Sequence, residues 1–206
     1  MRSSIEFWFD FASTYSYLTT MRIEEVASTY EVNVLWKPFL LGPIFSKQGW
    51  ADSPFNIYPA KGRYMVQDMQ RLCDERGLPF KMPPSFPCQS ITANRLGLVA
   101  LDEVWGVDFV KAVFSAQFGE ARDIGDDDVL RSLLIDLGQD ADLLFEKARS
   151  IENKARLKQQ TTDAELKGVF GAPTFVIDSK ELFWGDDRLI NCLKSVSYTH
   201  LTLPTI

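Results

Sequence analysis

The residues with the clearest chemical potential are Ser13-Thr14-Tyr15-Ser16, at the junction of a predicted strand and a predicted helix. A Cys-X-X-Cys pair at such a junction supports disulfide exchange, because the helix terminus stabilises a thiolate. Both cysteine positions hold serine here. The motif therefore predicts hydroxyl chemistry, in which Ser13 donates a hydrogen bond to an anion. The alternative is that Ser13 only caps the helix, which is the commoner role of a serine at this position.

Few other nucleophiles or bases are present. His200 is the only histidine and lies close to the C-terminus, which disfavours a Ser-His-Asp triad, a Cys-His pair and a zinc site. Cys73, Cys88 and Cys192 form no CxxC or metal-ligand spacing, so we interpret them as structural thiols in a reducing compartment. No metal is expected. Acid–base work is left to hydroxyls, carboxylates, lysines or a bound cofactor.

The composition of the chain disfavours nucleic acid and membranes as partners. The chain has 206 residues, 46% of them hydrophobic, which allows one domain or one domain with an insertion. The net charge of −6 disfavours nucleic acid, since binding it requires clustered cations. No apolar run is long enough to span a bilayer, and no apolar signal segment precedes the first strand. We therefore expect a cytoplasmic protein with no membrane partner.

Strand patterns occur at both ends of the chain, around a helical middle. The N-terminal part predicts the strand Ile5–Phe11, the helix Tyr15–Tyr30, the parallel strand Val32–Trp36, a turn-rich exit over Lys37–Pro43 and a loop from Gly49 to Gly62. The pattern is then helical from Arg63 to Lys167, with breaks at 77–79 and 82–87. Apolar spacing there predicts the helices Ile91–Trp105, Phe109–Phe118, Asp127–Leu137 and Asp140–Lys158.

Two strands return near the C-terminus. They are predicted at Thr174–Asp178 and Glu181–Trp184, with a hairpin turn at Ser179-Lys180 and a last helix from Asp186 to about Lys194. The fold class is therefore α/β, in the order βαβ, a large all-helical insertion, and ββα. We divide the chain into a discontinuous sheet domain (1–48 and 165–195) and a helical domain (49–164). Residues 196–206 fit no helix pattern and are expected to be a non-native or disordered tail.

The second motif is Gly171-Ala172-Pro173, directly before a predicted strand. Proline cannot donate to a sheet ladder, so Pro173 must stand at the first position of the strand. It is either an ordinary strand-entry proline or the cis-proline of a thioredoxin-like fold. In the second case the backbone of Ala172 is turned outward, where an extended peptide can pair with it.

Six short motifs are spread along the chain: Ser13-Thr-Tyr-Ser-Tyr-Leu, Lys37-Pro-Phe-Leu-Leu-Gly-Pro, Tyr58-Pro-Ala-Lys-Gly-Arg-Tyr, Phe86-Pro, Gly171-Ala-Pro-Thr-Phe and Phe183-Trp-Gly-Asp-Asp-Arg. In this order and spacing they resemble the 2-hydroxychromene-2-carboxylate isomerases. These are relatives of the kappa-class glutathione transferases and have a DsbA-like fold, a thioredoxin domain interrupted by a helical domain. The similarity covers roughly Ser4 to Lys194. The family's usual turn is Ser-Pro-Tyr-Ser, and Thr14 replaces the proline here.

The resemblance implies glutathione as the cofactor, with Ser13 as the catalytic residue that donates its hydroxyl to the glutathione thiolate. It also implies that Asp186 or Asp187 binds the γ-glutamyl end, although either could instead be a helix cap. Trp50 stands where the transferases have a glutathione-binding asparagine, so we expect it on the substrate side. The implied cofactor-binding residues are Ser13, Thr14, Tyr15, Ala172, Pro173, Asp186 and Asp187, and the candidate substrate residues are Trp50, Lys61 and Arg63.

The implied reaction interconverts 2-hydroxychromene-2-carboxylate and o-hydroxybenzylidenepyruvate, a small aromatic substrate. The resemblance also implies a homodimer. A kappa-like glutathione transferase would use the same site but release a stable conjugate. A disulfide oxidoreductase is disfavoured by the missing Cys-X-X-Cys pair. A non-catalytic thioredoxin-like module that binds peptide or thiol at the proline edge remains the alternative outside enzymes.

Overall fold

The computed structural model describes residues 3–178 and 181–202, with residues 198–202 described by their backbone alone. Its strands are β1 (Ser4–Phe9), β2 (Asn33–Pro38), β3 (Thr174–Ile177) and β4 (Glu181–Trp184). They form one sheet in the order β2-β1-β3-β4. β1 is parallel to β2 and antiparallel to β3, and β4 is antiparallel to β3. The predicted parallel pairing of the first two strands is confirmed.

Aromatic residues fill the centre of this sheet. Phe7 on β1 is in register with Trp36 on β2 and with Phe175 on β3. The ring centroid of Phe7 lies 5.2 Å from that of Trp36 and 5.8 Å from that of Phe175. Aromatic side chains suit strands because they pack well across a pleated surface. This packing makes β1 a rigid support for the turn that follows it.

Eleven α-helices occur in the described residues, in the predicted order of two strands, a long helical region and two strands. The helices are α1 (Thr14–Thr20), α2 (Ile23–Thr29), α3 (Leu41–Lys47), α4 (Pro54–Ile57), α5 (Pro59–Arg76), α6 (Ile91–Ala100), α7 (Gly106–Phe114), α8 (Asp127–Asp136), α9 (Ala141–Arg149), α10 (Ile151–Leu166) and α11 (Leu189–Thr202). A π-helical turn (Ser115–Gly119) follows α7, and a 3₁₀ turn (Asp186–Arg188) precedes α11.

Two predicted helices are each divided in the structure. The predicted helix Tyr15–Tyr30 is wrong as one element, because α1 and α2 are separated at Met21 and Arg22. The predicted helix Asp140–Lys158 is likewise two helices, because Ser150 is extended and caps α10 through its hydroxyl. Apolar spacing continues across both breaks, so the hydrophobic pattern could not reveal them.

The predicted turn and loop between β2 and the helical region are also corrected. β2 continues to Pro38, and Pro43 lies inside α3 rather than in a turn. The predicted loop from Gly49 to Gly62 contains α4 and the start of α5, which begin with Pro54 and Pro59. Proline suits the first position of a helix, because the N–H that it lacks has no partner there.

The C-terminal helix is longer than predicted. α11 continues through Thr202, whereas the sequence predicted a helix that ended near Lys194 and a tail without helical structure. Val196 is buried in the core, which explains why the helix extends past the predicted end. The predicted hairpin turn at Ser179-Lys180 and residues 203–206 lie outside the described residues. The suggested origin of the tail stays a prediction.

One large apolar core joins the sheet to the helical region. It contains Phe9 of β1 and Phe175 of β3 together with Met69 of α5, Phe114 of α7 and Phe145 of α9. Because the core is continuous, the helical region packs against the sheet, including β1, the strand that leads to Ser13. Within the described residues this core runs through both predicted domains, and their division stays a prediction. None of the described helices is long and apolar enough to cross a membrane.

Candidate active site

Ser13 lies at the N-terminal end of α1 and makes two hydrogen bonds. Its backbone is extended, and its Oγ accepts a hydrogen bond from the N–H of Ser16 at 3.2 Å, so Ser13 is the N-cap of α1. The same hydroxyl donates to the carbonyl oxygen of Ala172 at 2.9 Å. Capping uses a lone pair of Oγ and leaves its proton free to be donated. A capping role and a donor role are therefore compatible in one residue.

The peptide bond between Ala172 and Pro173 is cis, as one of the two interpretations of the proline predicted. The carbonyl oxygen of Pro173 accepts a hydrogen bond from the N–H of Gly185 at 3.0 Å, which fixes this segment to the end of β4. The N–H of Ala172 has no hydrogen-bond partner among the described residues. A free backbone donor at the end of a strand can pair with an extended ligand.

A cavity of about 1370 Å³ opens beside Ser13 and Ala172. Its walls come from the β1–α1 turn, from α3, α4 and α5, from the segment before α6, and from the residues that flank β3 and β4. Ligand pockets for one small molecule commonly measure roughly 300–1,000 Å³. The cavity is therefore large enough to hold two ligands side by side.

One face of α5 lines this cavity along its length. The lining residues of α5 include Lys61, Tyr64, Asp68, Leu72 and Arg76. Spacings of three and four residues place these side chains on the same side of a helix. At 1.5 Å per residue, the first and the last lie roughly 22 Å apart, so the cavity has two distinct ends.

The cis-proline end of the cavity is formed by Ala172, Pro173, Asp186 and Asp187, with Arg76 of α5 opposite them. Nη2 of Arg76 lies 2.6 Å from Oδ2 of Asp186. This ion pair connects the C-terminal part of α5 to the 3₁₀ turn after β4. The end is polar and contains charges of both signs.

The aromatic end is formed by Trp50, Phe55 and Phe86, with Lys61 at the start of α5. The Phe55 ring lies 6.5 Å from the Tyr15 ring and 6.3 Å from the Phe86 ring. These side chains offer flat apolar surfaces, which suit a planar aromatic ligand. Trp50 lies on the cavity wall, and its role on the substrate side stays a prediction.

The two predicted substrate cations differ in position. Lys61 lines the cavity, and its ammonium group lies 5.0 Å from the centroid of the Tyr58 ring. Arg63 is exposed and is not part of the cavity wall. Lys61 fell within the predicted loop and Arg63 at the start of the predicted helical region, and both lie in the first turns of α5. Residues two apart on a helix point to different sides, which is why only one of them faces the cavity.

Thr14 and Tyr15, which follow Ser13, differ in whether their side chains line the cavity. Tyr15 lines the cavity and donates its hydroxyl to Oδ2 of Asp68 at 2.8 Å. Burial, followed by the hydrogen bond and negative charge of Asp68, raises the pKa of Tyr15, so its phenol stays protonated. The Thr14 side chain is buried and does not line the cavity. Any contact of Thr14 with a ligand must therefore come from its backbone.

Asp186 and Asp187 have different environments although both line the cavity. Asp186 is 4% exposed; Thr19 and Arg22 donate to its Oδ1, and Arg76 donates to its Oδ2. Both oxygens of its carboxylate therefore already accept hydrogen bonds from other side chains of the protein. The Asp187 side chain is 71% exposed, and its one ion pair among the described residues is with the exposed Arg188, whose Nη2 lies 3.2 Å from Oδ2 and is open to exchange for a ligand cation. Of the two, Asp187 is the one with a carboxylate available to a ligand ammonium group.

Asp10, Asp68 and Arg76 are among the residues of the cavity wall that were not identified from the sequence. Asp68 and Arg76 continue the spacing of Lys61 and Tyr64 along α5. That spacing could have identified them, had the start of α5 been placed at Pro59. Asp10 is buried beside Ser13, and an isolated aspartate at the end of a strand carries no comparable signal.

The cysteine thiol in the cavity wall is not poised as a nucleophile. Burial raises the pKa of Cys88, and the negative charge of Asp10 raises it further, so the thiol remains protonated. Within the described residues, no group of histidine, cysteine and carboxylate side chains is arranged to hold a metal ion. Hydrogen-bond donation by Ser13 is the chemistry that this arrangement of side chains supports best.

Comparison with known proteins shows the family and the fold of the chain. The DSBA-like thioredoxin domain matches residues 4–196. A 2-hydroxychromene-2-carboxylate isomerase from Sphingobium xenophagum is 31% identical over 92% of this chain and 95% of its own length. The chain belongs to the 2-hydroxychromene-2-carboxylate isomerase family. The predicted DsbA-like fold is confirmed as well.

Two further matches support membership of the isomerase family. A solved structure of a 2-hydroxychromene-2-carboxylate isomerase superimposes with a TM-score of 0.85 at 25% identity, over 98% of this chain and all of that chain. Glutathione S-transferase kappa 2 from Caenorhabditis elegans is 28% identical over 91% of this chain and 89% of its own length. As a member of the isomerase family, the chain is an enzyme of the isomerase class.

Proposed function

We propose that this protein is a glutathione-dependent isomerase that interconverts 2-hydroxychromene-2-carboxylate and o-hydroxybenzylidenepyruvate. The observation that carries the proposal is the position of the Ser13 hydroxyl. It lies on the wall of a cavity for two ligands, hydrogen-bonded to the backbone of Ala172 before the cis-proline. Kinship with named isomerases supports the isomerisation, and kinship with kappa-class glutathione transferases supports glutathione as the cofactor.

The cis-proline end matches the groups of glutathione. The free N–H of Ala172 can donate to the cysteinyl carbonyl of an extended tripeptide. The exposed carboxylate of Asp187 can pair with the γ-glutamyl ammonium group. Tyr15 and the backbone of Thr14 and Pro173 complete the binding surface that the family resemblance implies.

Ser13 holds the sulfur in this arrangement. Its hydroxyl rotates about the Cβ–Oγ bond, so the proton can leave the carbonyl oxygen of Ala172 and turn toward a thiolate. The N–H of Ser16 continues to bond to Oγ in both orientations. Donation from Ser13 favours the thiolate over the thiol, and Ser13 itself forms no bond to the substrate.

The aromatic end accommodates the substrate. Phe55 and Phe86 offer ring surfaces to the bicyclic system, and Lys61 supplies a positive charge for the carboxylate. The chemistry that glutathione supplies when bound is reversible thiolate addition to the conjugated system, which lets the former double bond rotate before elimination. The protein orients the two ligands and keeps the sulfur deprotonated.

The test compares two serine-to-alanine substitutions that each remove a helix N-cap. Ser13→Ala removes the cap of α1 and the proposed donor, whereas Ser150→Ala removes the cap of α10 away from the cavity. Each is expected to lower the free energy of unfolding by about 1 kcal/mol. Only Ser13→Ala is expected to lower glutathione-dependent kcat, by about 100-fold, as for the loss of a donor to a developing anion. Near wild-type turnover of Ser13→Ala would contradict the role of Ser13.

A kappa-type glutathione transferase is the second candidate, because a kappa-class relative matches nearly the whole chain. It would use the same thiolate but release a stable conjugate. Product analysis with chlorodinitrobenzene and with the chromene substrate separates the two activities. Isomer without net consumption of glutathione identifies the isomerase.

A further inference from the structure

Asp10 makes a set of hydrogen bonds that neither the family comparison nor the proposed reaction assigns to a function. Its side chain is 2% exposed and lines the cavity. Oδ1 accepts from the N–H of Ala12 at 3.1 Å and from the amide of Asn94 at 3.0 Å. Oδ2 accepts from the N–H of Leu41 at 2.8 Å. The backbone carbonyl of Asp10 accepts from the N–H of Ser13 at 2.9 Å.

These partners belong to three different elements, two of which line the cavity with the contacting residues themselves, while the third, α6, contacts Asp10 through Asn94, which is buried outside the cavity wall. Ala12 and Ser13 form the β1–α1 turn, Leu41 is the first residue of α3, and Asn94 lies in α6. The N-cap of α3 is Leu40, whose side chain makes no capping hydrogen bond. The carboxylate of Asp10 thus replaces the missing cap and bonds to an N–H that would otherwise be unpaired.

A carboxylate is required for this arrangement. The three donors to the Asp10 carboxylate are the backbone N–H groups of Ala12 and Leu41 and the side-chain amide of Asn94; all are uncharged, and together they use both oxygens. An asparagine side chain has one acceptor oxygen and one NH₂ group. At this position its NH₂ group would face an N–H donor, and that hydrogen bond would be lost. A buried carboxylate without a cation is costly to desolvate, which makes its retention for stability alone unexpected.

We propose that Asp10 is a positioning residue that holds Ser13 and the first turn of α3 in a fixed mutual geometry. The part of the cavity wall around Ser13 and the part formed by α3 then keep one fixed position relative to both ligands. For its catalytic consequence, this inference rests on the proposed glutathione-dependent isomerisation. The geometric link itself can be measured without glutathione.

The first readout is hydrogen–deuterium exchange of the free protein. In Asp10→Asn, backbone amides in residues 10–16 and 40–47 are expected to exchange about tenfold faster, since the charge is lost from both bonds and one of the two N–H groups faces an NH₂ group in place of an acceptor. Leu41→Pro breaks the same link from α3, and the extended backbone of Leu40 already suits a following proline. It should accelerate exchange in 10–16 as well. Acceleration confined to the substituted segment in both variants would overturn the proposal.

The second readout is the pKa of the glutathione thiol in the complex, from its ultraviolet thiolate absorbance. Removing a negative charge in Asp10→Asn would by itself lower that pKa, whereas displacement of Ser13 raises it. The proposal predicts a raised pKa and a lowered kcat; an unchanged or lowered pKa contradicts it. Asp140→Ala, which removes the cap of α9, is the matched control and should change neither readout. Absence of bound glutathione in the wild type would contradict the proposed function, and exchange would still decide the role of Asp10.

Discussion

At the scale of single residues, Ser13 explains how a redox scaffold can serve a reaction without redox chemistry. Its Oγ caps α1 by accepting a hydrogen bond from the N–H of Ser16, and its O–H donates to the carbonyl oxygen of Ala172. A bound thiolate would be a stronger acceptor for the same O–H. A hydroxyl can stabilise a thiolate without competing with it as a nucleophile, because it stays protonated near neutral pH. A cysteine at the same position could exchange with a disulfide substrate, or form a mixed disulfide with the bound thiol when an oxidant is supplied, and a serine can do neither.

The cations of α5 supply a residue-scale prediction with a built-in control. Lys61→Met removes the positive charge at the aromatic end and should raise KM for the carboxylate substrate about tenfold, because a charge-assisted contact is lost. Arg63→Met changes an exposed cation outside the cavity and should leave KM within about twofold. Steady-state kinetics at fixed glutathione concentration measures both. Equal effects of the two substitutions would contradict the assignment of Lys61.

Sequence reasoning identified the site residues that lie in short local motifs. Ser13 and Pro173 were found because a strand junction and a strand-entry proline have local signals. It did not separate Asp186 from Asp187, since that difference depends on Arg22 and Arg76, which lie far away along the chain. Burial and ion pairing are products of the tertiary fold, so adjacent identical residues cannot be ranked by sequence pattern.

At the scale of elements, breaks in helices position charged side chains at the site. The interruption between α1 and α2 places Arg22 against Asp186, where its Nη2 lies 3.1 Å from Oδ1. The end of α5 supplies Arg76 to the same carboxylate. The α1–α2 junction and the end of α5 thus both contact the 3₁₀ turn after β4. The periodicity of apolar residues cannot predict this junction, because the junction is held by polar contacts.

This junction yields a prediction that separates the two aspartates. Asp186→Asn leaves two arginines without their shared carboxylate and should lower the free energy of unfolding by about 3 kcal/mol. Asp187→Asn removes an exposed charge and should cost less than about 0.5 kcal/mol, while weakening glutathione binding. Urea unfolding and calorimetric titration with glutathione measure the two effects. A larger loss of stability in Asp187→Asn would contradict this assignment.

At the scale of the whole molecule, the continuous core makes the helical region and the sheet one support for the cavity. The order of strands and helices was predictable from hydrophobic patterning and confirmed, because long periodic segments carry strong signals. The cavity was not predictable as a shape, since it arises from the packing of α3 to α5 against the cis-proline segment. Homodimer formation and a cytoplasmic location stay predictions.

The buried thiols of this core give a pH dependence. Burial raises the pKa of Cys73 from 9.0 to about 11 and that of Cys192 to about 12. Above about pH 9 the unfolded chain loses thiol protons that the folded chain keeps, so the free energy of unfolding falls as pH rises. For Cys73, the stabilisation is complete below pH 9, declines toward pH 11, and amounts to at most about 3 kcal/mol.

Urea unfolding at several pH values between about 8 and about 10.5 measures this decline, and Cys73→Ala is the comparison. The variant starts from a lower stability because it lacks a buried side chain. Its stability should nevertheless fall less steeply with pH than that of the wild type. Identical slopes would show that Cys73 does not contribute to the pH dependence.

The central claim is that the Ser13 hydroxyl holds the sulfur of glutathione. A crystal structure of the protein with glutathione bound tests it most directly. The account predicts the sulfur within hydrogen-bond distance of Ser13 Oγ, with the cysteinyl carbonyl bonded to the N–H of Ala172. Glutathione bound elsewhere, with Ser13 still donating to the carbonyl oxygen of Ala172, would contradict it.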